Sequence, residues 1–179
     1  RTGKLFSHFA EAGVKPDVVT LAKGLGGGFP IGACLIGEKA EKTFQFGSHG
    51  STFGGNPLAC AVARVILKKL QSPEVMKNVR DRGVELTDAL DQINDKYDVF
   101  KEVRGRGLMI GAELMPQWHG KAGEICETAR AHGLIMLQAG PNVLRFLPPL
   151  TITKDEMKKG IDRLNKTMTA YLARPGAKK

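Results

Sequence analysis

The stretch from Asp17 to Gly28, Asp-Val-Val-Thr-Leu-Ala-Lys-Gly-Leu-Gly-Gly-Gly, most constrains what this chain can fold into. Val18 to Ala22 is a short apolar run with β-branched residues, which predicts a buried strand. It delivers one lysine, Lys23, onto four glycines within five residues. Glycines there let the backbone come close to a bulky ligand. Partial desolvation lowers an amine's pKa and makes it nucleophilic, so Lys23 is a candidate for covalent chemistry. On the local pattern alone, a solvated lysine beside an ordinary turn is the alternative.

A chain of 179 residues can bury one good core or two small ones. With 42% hydrophobic and 25% charged residues, it is not a disordered chain. No apolar run approaches the length needed to cross a bilayer, so no membrane partner is expected. Cys34, Cys60 and Cys126 form no CxxC pair, which indicates neither a disulfide framework nor zinc, and a reducing cytoplasm fits. The formal charge of +9 raises nucleic acid as a partner. The charges are dispersed, however, and the densest basic run, Arg174 to Lys179, is split by Pro175 and Gly176 and carries no aromatics. Nucleic acid is therefore not expected. The chain opens on Arg-Thr-Gly-Lys in loop-like sequence without Met or a signal peptide, and the expectation is a fragment or processed product.

Patterning predicts a short helix over 4–12, the strand ending at Ala22, and a second buried strand from Phe29 to Ile36. A short helix over 38–44 and a polar glycine-rich loop over 45–56 follow. Asn56 as cap with Pro57 at the first helical position starts a helix to Leu70. Ser72 and Pro73 start a long amphipathic helix towards Asn94, with Val75, Val79, Leu86, Leu90 and Ile93 inward. Strands are expected over 100–104, 108–114, 134–138 and 143–146, and helices over 121–132 and 154–173. The domain boundary falls near 70–71, and residues 71–179 read as a small α+β domain.

The glycine turn matches neither GxGxxG nor GxxxxGK[ST], so a nucleotide-binding module is a weak alternative. Ser48 to Asn56 offers hydroxyls and free amides leading into a helix N-terminus. That loop is either a phosphate contact or a flexible segment capped by Asn56. Arg145 stands in the apolar segment Val143 to Leu150 and needs a partner, because an unpaired buried charge is costly. Its planar fork suits a carboxylate ligand, a structural ion pair or solvent, and the residues alone leave these open. Arg104 and Arg106 read as turn residues with solvated or paired heads. His8, His49, His119 and His132 show no metal spacing, and no metal is expected.

Four ordered segments together resemble class III aminotransferases, fold type I enzymes that use pyridoxal phosphate. They are Pro16 to Ala33 (PDVVTLAKGLGGGFPIGA), His49 to Ala59 (HGSTFGGNPLA), Arg104 to Gly111 (RGRGLMIG) and Gly140 to Leu150 (GPNVLRFLPPL). The acetylornithine aminotransferase group is the most similar. The resemblance implies an α/β fold, with residues 1–70 the end of the large cofactor-binding domain and 71–179 the small C-terminal domain. It implies that Lys23 holds pyridoxal 5'-phosphate and shuttles the proton. Ser51 and Thr52 then contact the cofactor phosphate across a homodimer interface, and Arg145 holds the α-carboxylate of 2-oxoglutarate or glutamate. The implied reaction moves the terminal amine of N-acetylornithine, or in some members succinyldiaminopimelate, to 2-oxoglutarate. Members of the family are about twice this length, so the acidic partner of the pyridine nitrogen, the stacking aromatic and the main phosphate turn would lie upstream. By the same expectation this piece does not transaminate alone. Rival expectations are a relative acting on succinylornithine, ornithine or 4-aminobutyrate, and a non-catalytic binding module on a decayed enzyme fold.

Overall fold

A computed structural model of the chain describes residues 1–174, and the basic run from Arg174 to Lys179 lies outside them beyond its first residue. The described chain divides into two compact units, residues 4–75 and residues 1–3 with 76–179.

In the first unit, Val18–Leu21 (β1) pairs antiparallel with Ala33–Ile36 (β2), with Val18 opposite Ile36 and Leu21 opposite Ala33. Between them a 3-10 turn spans Lys23–Leu25. A short helix Glu38–Glu41 (α1) and the helix Pro57–Leu70 (α2) follow. The Asn56 side chain accepts a hydrogen bond from the Ala59 N–H at 2.8 Å, and Pro57 sits in the first turn, so α2 begins where its cap chemistry requires.

Four expectations need correction here. The predicted helix over 4–12 is a single 3-10 turn, Ser7–Ala10. Gly13 and Pro16 leave it too little length for a helix to repay its nucleation. The helix over 38–44 shrinks to α1, and the strand over 29–36 to its last four residues. Nor are the two strands buried: Val18, Leu35 and Ile36 are 42%, 48% and 40% exposed. An isolated two-stranded ribbon has two faces and two edges, and apolar composition alone does not cover them.

The second unit is built on one sheet. The long helix Pro73–Tyr97 (α3) starts in the first unit and leads to Phe100–Arg106 (β3) and Met109–Leu114 (β4). Ala122–Ala131 (α4), the two-residue strand Leu137–Gln138 (β5), Val143–Phe146 (β6) and Lys154–Leu172 (α5) complete it. The sheet order is β3-β4-β6-β5, with every neighbouring pair antiparallel. Strict alternation along β4 and β6 turns Ile110, Ala112, Leu114, Leu144 and Phe146 inward. They meet Leu86, Leu90 and Ile93 of α3, Ile125 of α4, and Leu164 and Met168 of α5 in one continuous core. Fully burying side chains of this size stabilises by about 1.5–3 kcal/mol each, which offsets the entropy of ordering them.

Close backbone packing ties the chain start to this unit. A Cβ at Gly83 of α3 would lie 2.5 Å from the Gly107 carbonyl oxygen, and Gly107 itself has φ +54. Leu108 N–H donates to the Arg1 carbonyl at 2.8 Å, and the Arg1 guanidinium donates to the Pro148 carbonyl at 2.8 Å. At the end of α3, the Asn94 carboxamide accepts from the N–H groups of Val99 and Phe100 and donates to the Phe100 carbonyl. Asp98 turns this corner with φ +51. A box formed by Thr153 and Glu156 caps α5. Among the described residues no helix is long and apolar enough to cross a membrane.

Replacing Asn94→Ala strands two backbone donors at a tight corner, and a loss of about 2 kcal/mol is expected in urea unfolding. A second test uses pH. The buried Tyr171 hydroxyl donates to Glu124 at 3.1 Å, and burial first, then that carboxylate, push its phenol up to about 12. The folded protein therefore keeps a proton that the unfolded chain releases near its ordinary value of about 10. Stability is complete below pH 10 and falls as pH rises towards 12, and Tyr171→Phe removes that part of the decline in alkaline unfolding curves.

Candidate active site

Lys23 follows β1 after Ala22 and opens the 3-10 turn, with φ +50. A non-glycine residue in the left-handed region stores strain of about 1–2 kcal/mol, so its surroundings must over-determine it. They do so through the glycines. A Cβ at Gly26 would lie 2.0 Å from the Phe29 carbonyl oxygen, and the Phe29 N–H donates to the Gly26 carbonyl at 3.0 Å. Gly27, at φ +57, would place a Cβ 2.6 Å from Cδ1 of Ile66 on α2, and Leu25 is buried in the same turn. The turn is thus closed on itself and seated against α2. A Cβ at Gly24 or Gly28 would meet nothing within 4 Å, so the turn is open at those two positions. Lys23 itself is exposed, and the desolvation expected from a buried strand is not supplied by β1.

Ser51 and Thr52 lie in the same unit, both exposed, in the loop that runs into α2. The Ser51 carbonyl accepts from the Gly54 N–H at 3.1 Å, and Asn56 donates to the Phe53 carbonyl at 2.8 Å while capping the helix. Asn56 closes the helix end, and Ser51 and Thr52 stay exposed beside it.

Arg145 stands in the other unit, on β6. Its strand partners are Gly111 of β4 and Leu137 of β5. Leu144 and Phe146 point into the core, so Arg145 projects from the sheet's opposite face. Its Nε is buried and has no hydrogen-bond partner among the described residues. Arg145 also lines a cavity of about 310 Å³ whose other walls are apolar, among them Leu86, Met136, Leu147, Pro148 and Ile161. Of the three options for this side chain, a structural ion pair is not what these residues provide.

The neighbouring arginine differs. Arg104 of β3 donates to Glu102 at 2.7 Å and to Glu113 at 2.6 Å, and Lys101 donates to the other oxygen of Glu113 at 3.2 Å. Arg104, then Lys101, hold the Glu113 carboxyl below its usual range, and Glu113 chiefly raises the Arg104 pKa in turn. Sequence reading allowed Arg104 a paired head but missed the carboxylates. The signal, alternating charge at 101, 102, 104 and 113, becomes informative only with the strand register. No group of three or more His, Cys, Asp or Glu fit to hold a metal occurs among the described residues.

This geometry has known counterparts. The aminotransferase class-III family profile matches residues 1–168. An acetylornithine aminotransferase of Xanthomonas campestris pv. campestris is 56% identical over 173 residues, covering 97% of this chain and 42% of its own length. An acetylornithine/succinyldiaminopimelate aminotransferase of Yersinia pestis is 48% identical over 172 residues, covering 96% and 42%. The crystal structure of N-acetylornithine aminotransferase from Stenotrophomonas maltophilia K279a superposes with a TM-score of 0.87 at 51% identity, covering 97% of this chain and 44% of that one. The chain belongs to the class-III aminotransferase family. Its mixed α/β architecture is that of fold type I transferases, and it spans 39% to 43% of the length of these and similar curated relatives.

The Gly26 contact yields a direct test. Gly26→Ala drives a methyl group into a backbone oxygen, and the turn must open. We expect amide exchange over residues 21–31 to accelerate, and unfolding of this unit to ease by about 1–3 kcal/mol. Unchanged exchange in that segment would show that the turn is not held as described.

Proposed function

We propose that this chain carries the lysine-bearing part of an aminotransferase that moves the terminal amino group of N-acetylornithine to 2-oxoglutarate, with succinyldiaminopimelate as a second donor. The reading includes pyridoxal 5'-phosphate as cofactor, a cytoplasmic homodimer, residues 1–70 as the end of the large domain and 71–179 as the small domain. The observation that supports it most is the Lys23 amine, exposed at the end of a strained turn that glycines lock against α2.

The residues present fit the cofactor. Lys23 offers an amine for its aldehyde, the turn is open at Gly24 and Gly28, and Ser51 and Thr52 offer neutral donors for its phosphate. When bound, the cofactor supplies an electron sink for the carbon that loses its proton. The chain's own groups would do the rest. Lys23 would anchor the cofactor and, once displaced by the substrate amine, hold a transferable proton at Nζ. Ser51 and Thr52 would orient the phosphate in the site of the second copy. Arg145 would take the α-carboxylate of 2-oxoglutarate or glutamate with its fork, which suits two parallel hydrogen bonds.

Borohydride reduction of the protein loaded with pyridoxal 5'-phosphate, followed by peptide mapping, is expected to leave the cofactor on Lys23. Lys23→Ala should lower glutamate formation from acetylornithine by about 10³-fold. A Lys23 peptide recovered unmodified after reduction would sink the proposal. Comparing acetylornithine, succinyldiaminopimelate and ornithine as donors tests the substrate.

A further inference from the structure

The segment Leu147 to Ile152, between β6 and α5, forms one wall of the apolar cavity through Leu147, Pro148, Pro149 and Ile152. Its two adjacent prolines bring no N–H groups, so the β6 ladder stops at Phe146 and the segment must be held another way. It is held by its carbonyls. The Arg1 guanidinium donates to Pro148 at 2.8 Å, and the Asn78 carboxamide donates to Leu150 at 2.9 Å and to Ile152 at 3.1 Å. Leu150 and Ile152 also pack against the core.

Both donors stand where the chain passes from one unit to the other. Residues 1–3 belong with the second unit and Lys4 with the first, and the chain returns between Val75 and Met76. Arg1 is thus three residues before Lys4, and Asn78 is three residues after Val75. Residues 1–3 are tied down along their length. Arg80 of α3 donates to the Gly3 carbonyl at 2.9 Å. Leu108 N–H donates to the Arg1 carbonyl at 2.8 Å, and the Arg1 guanidinium reaches the Leu108 carbonyl at 3.3 Å. The backbones are close enough there that a side chain at Gly107 would strike the Arg1 carbonyl.

We infer that residues 1–3 and Asn78 act as one latch, a strap that couples both passages of the chain to the wall of the cavity. Arg1 joins the two parts: its carbonyl fixes the strap to Leu108, and its guanidinium fixes the wall at Pro148. Asn78 closes the far end of the wall, and Arg80 closes the far end of the strap. These hydrogen bonds open and close together rather than singly. A change that pulls on residues 4–75 at either end therefore reaches the cavity wall through the chain itself. Nothing in this coupling depends on what binds at Lys23.

The test is amide hydrogen exchange of the full chain, read at two reporters and one reference. Leu108 N–H donates to Arg1 and reports the strap, while Ile152 N–H donates to Pro149 at 3.1 Å and reports the wall. Ala112, paired with Val103 on one side and Leu144 on the other, is the reference. Asn78→Ala removes bonds of the wall only, and Arg80→Met removes a bond of the strap only. Asn78→Ala is expected to speed exchange at Leu108 about fivefold, the scale of one hydrogen bond, with Ala112 unchanged. Arg80→Met should speed Ile152 by a similar factor, and Arg1→Met should speed both reporters. Acceleration confined to the altered end in Asn78→Ala or Arg80→Met would reveal separate local bonds and overturn the inference. An Arg1→Met variant that spares either reporter would overturn it too. So would equal acceleration at Ala112, which means general loosening rather than a latch.

Discussion

The pairing of β4 with β6 is the constraint on which the second unit depends. Ile110 opposite Phe146 and Ala112 opposite Leu144 set which side chains enter the core and which leave it. A slip of one residue would turn Arg145 and Glu113 inward and Leu144 and Phe146 outward. Burying two charges and exposing two large apolar groups would cost many kcal/mol at once, so this register is strongly specified. Helices α3, α4 and α5 share the one core on the inner face, leaving the other face of the sheet free for polar chemistry. The position of Arg145 is thus a by-product of packing on the far side of its own strand.

The first unit solves a different problem, holding a lysine in an unfavourable backbone state. Its means is close approach rather than burial. Gly26 lets the turn close on the Phe29 carbonyl, and Gly27 lets it settle on Ile66, so the positive φ of Lys23 is imposed by its neighbours on both sides. Ala59 and Ala63, both buried, are spaced one helical turn apart on the inner face of α2. The turn meets the helix where Gly27 approaches Ile66, one turn on from Ala63. A larger residue at Gly27 would lift the turn from Ile66.

Elements with a strong period and cap chemistry were legible from the sequence. Asn56-Pro57 and Ser72-Pro73 marked the starts of α2 and α3, and the apolar stripe of α3 is buried from Val75 to Ile93. Segments identified by apolar content alone were read too generously. Phe29 to Gly32 and Leu134 to Met136 are apolar but form no ladder, because strand length is set by a partner's hydrogen bonds and not by composition. At the candidate site, single residues were legible and their relations were not. Lys23 stands out beside its glycines and Arg145 in its apolar segment. That Arg104 bridges Glu102 and Glu113 depends on which residue of β3 faces which of β4, and a bulge between Phe100 and Glu102 shifts that register. Alternation counted along the sequence from Phe100 would put Glu102 on the core side.

The two halves of the outer sheet face carry unequal costs, and the inequality is informative. Around Arg104 the charges are satisfied, in an exposed network of the kind that contributes little to stability. Around Arg145 a donor is buried without a partner, a state that costs about 1–3 kcal/mol. Glu113 spends both its oxygens on Lys101 and Arg104. Both carboxylates gather on Arg104, and Arg145 keeps a buried Nε without a partner among the described residues, so the two arginines of one sheet face differ in how far the fold itself satisfies them.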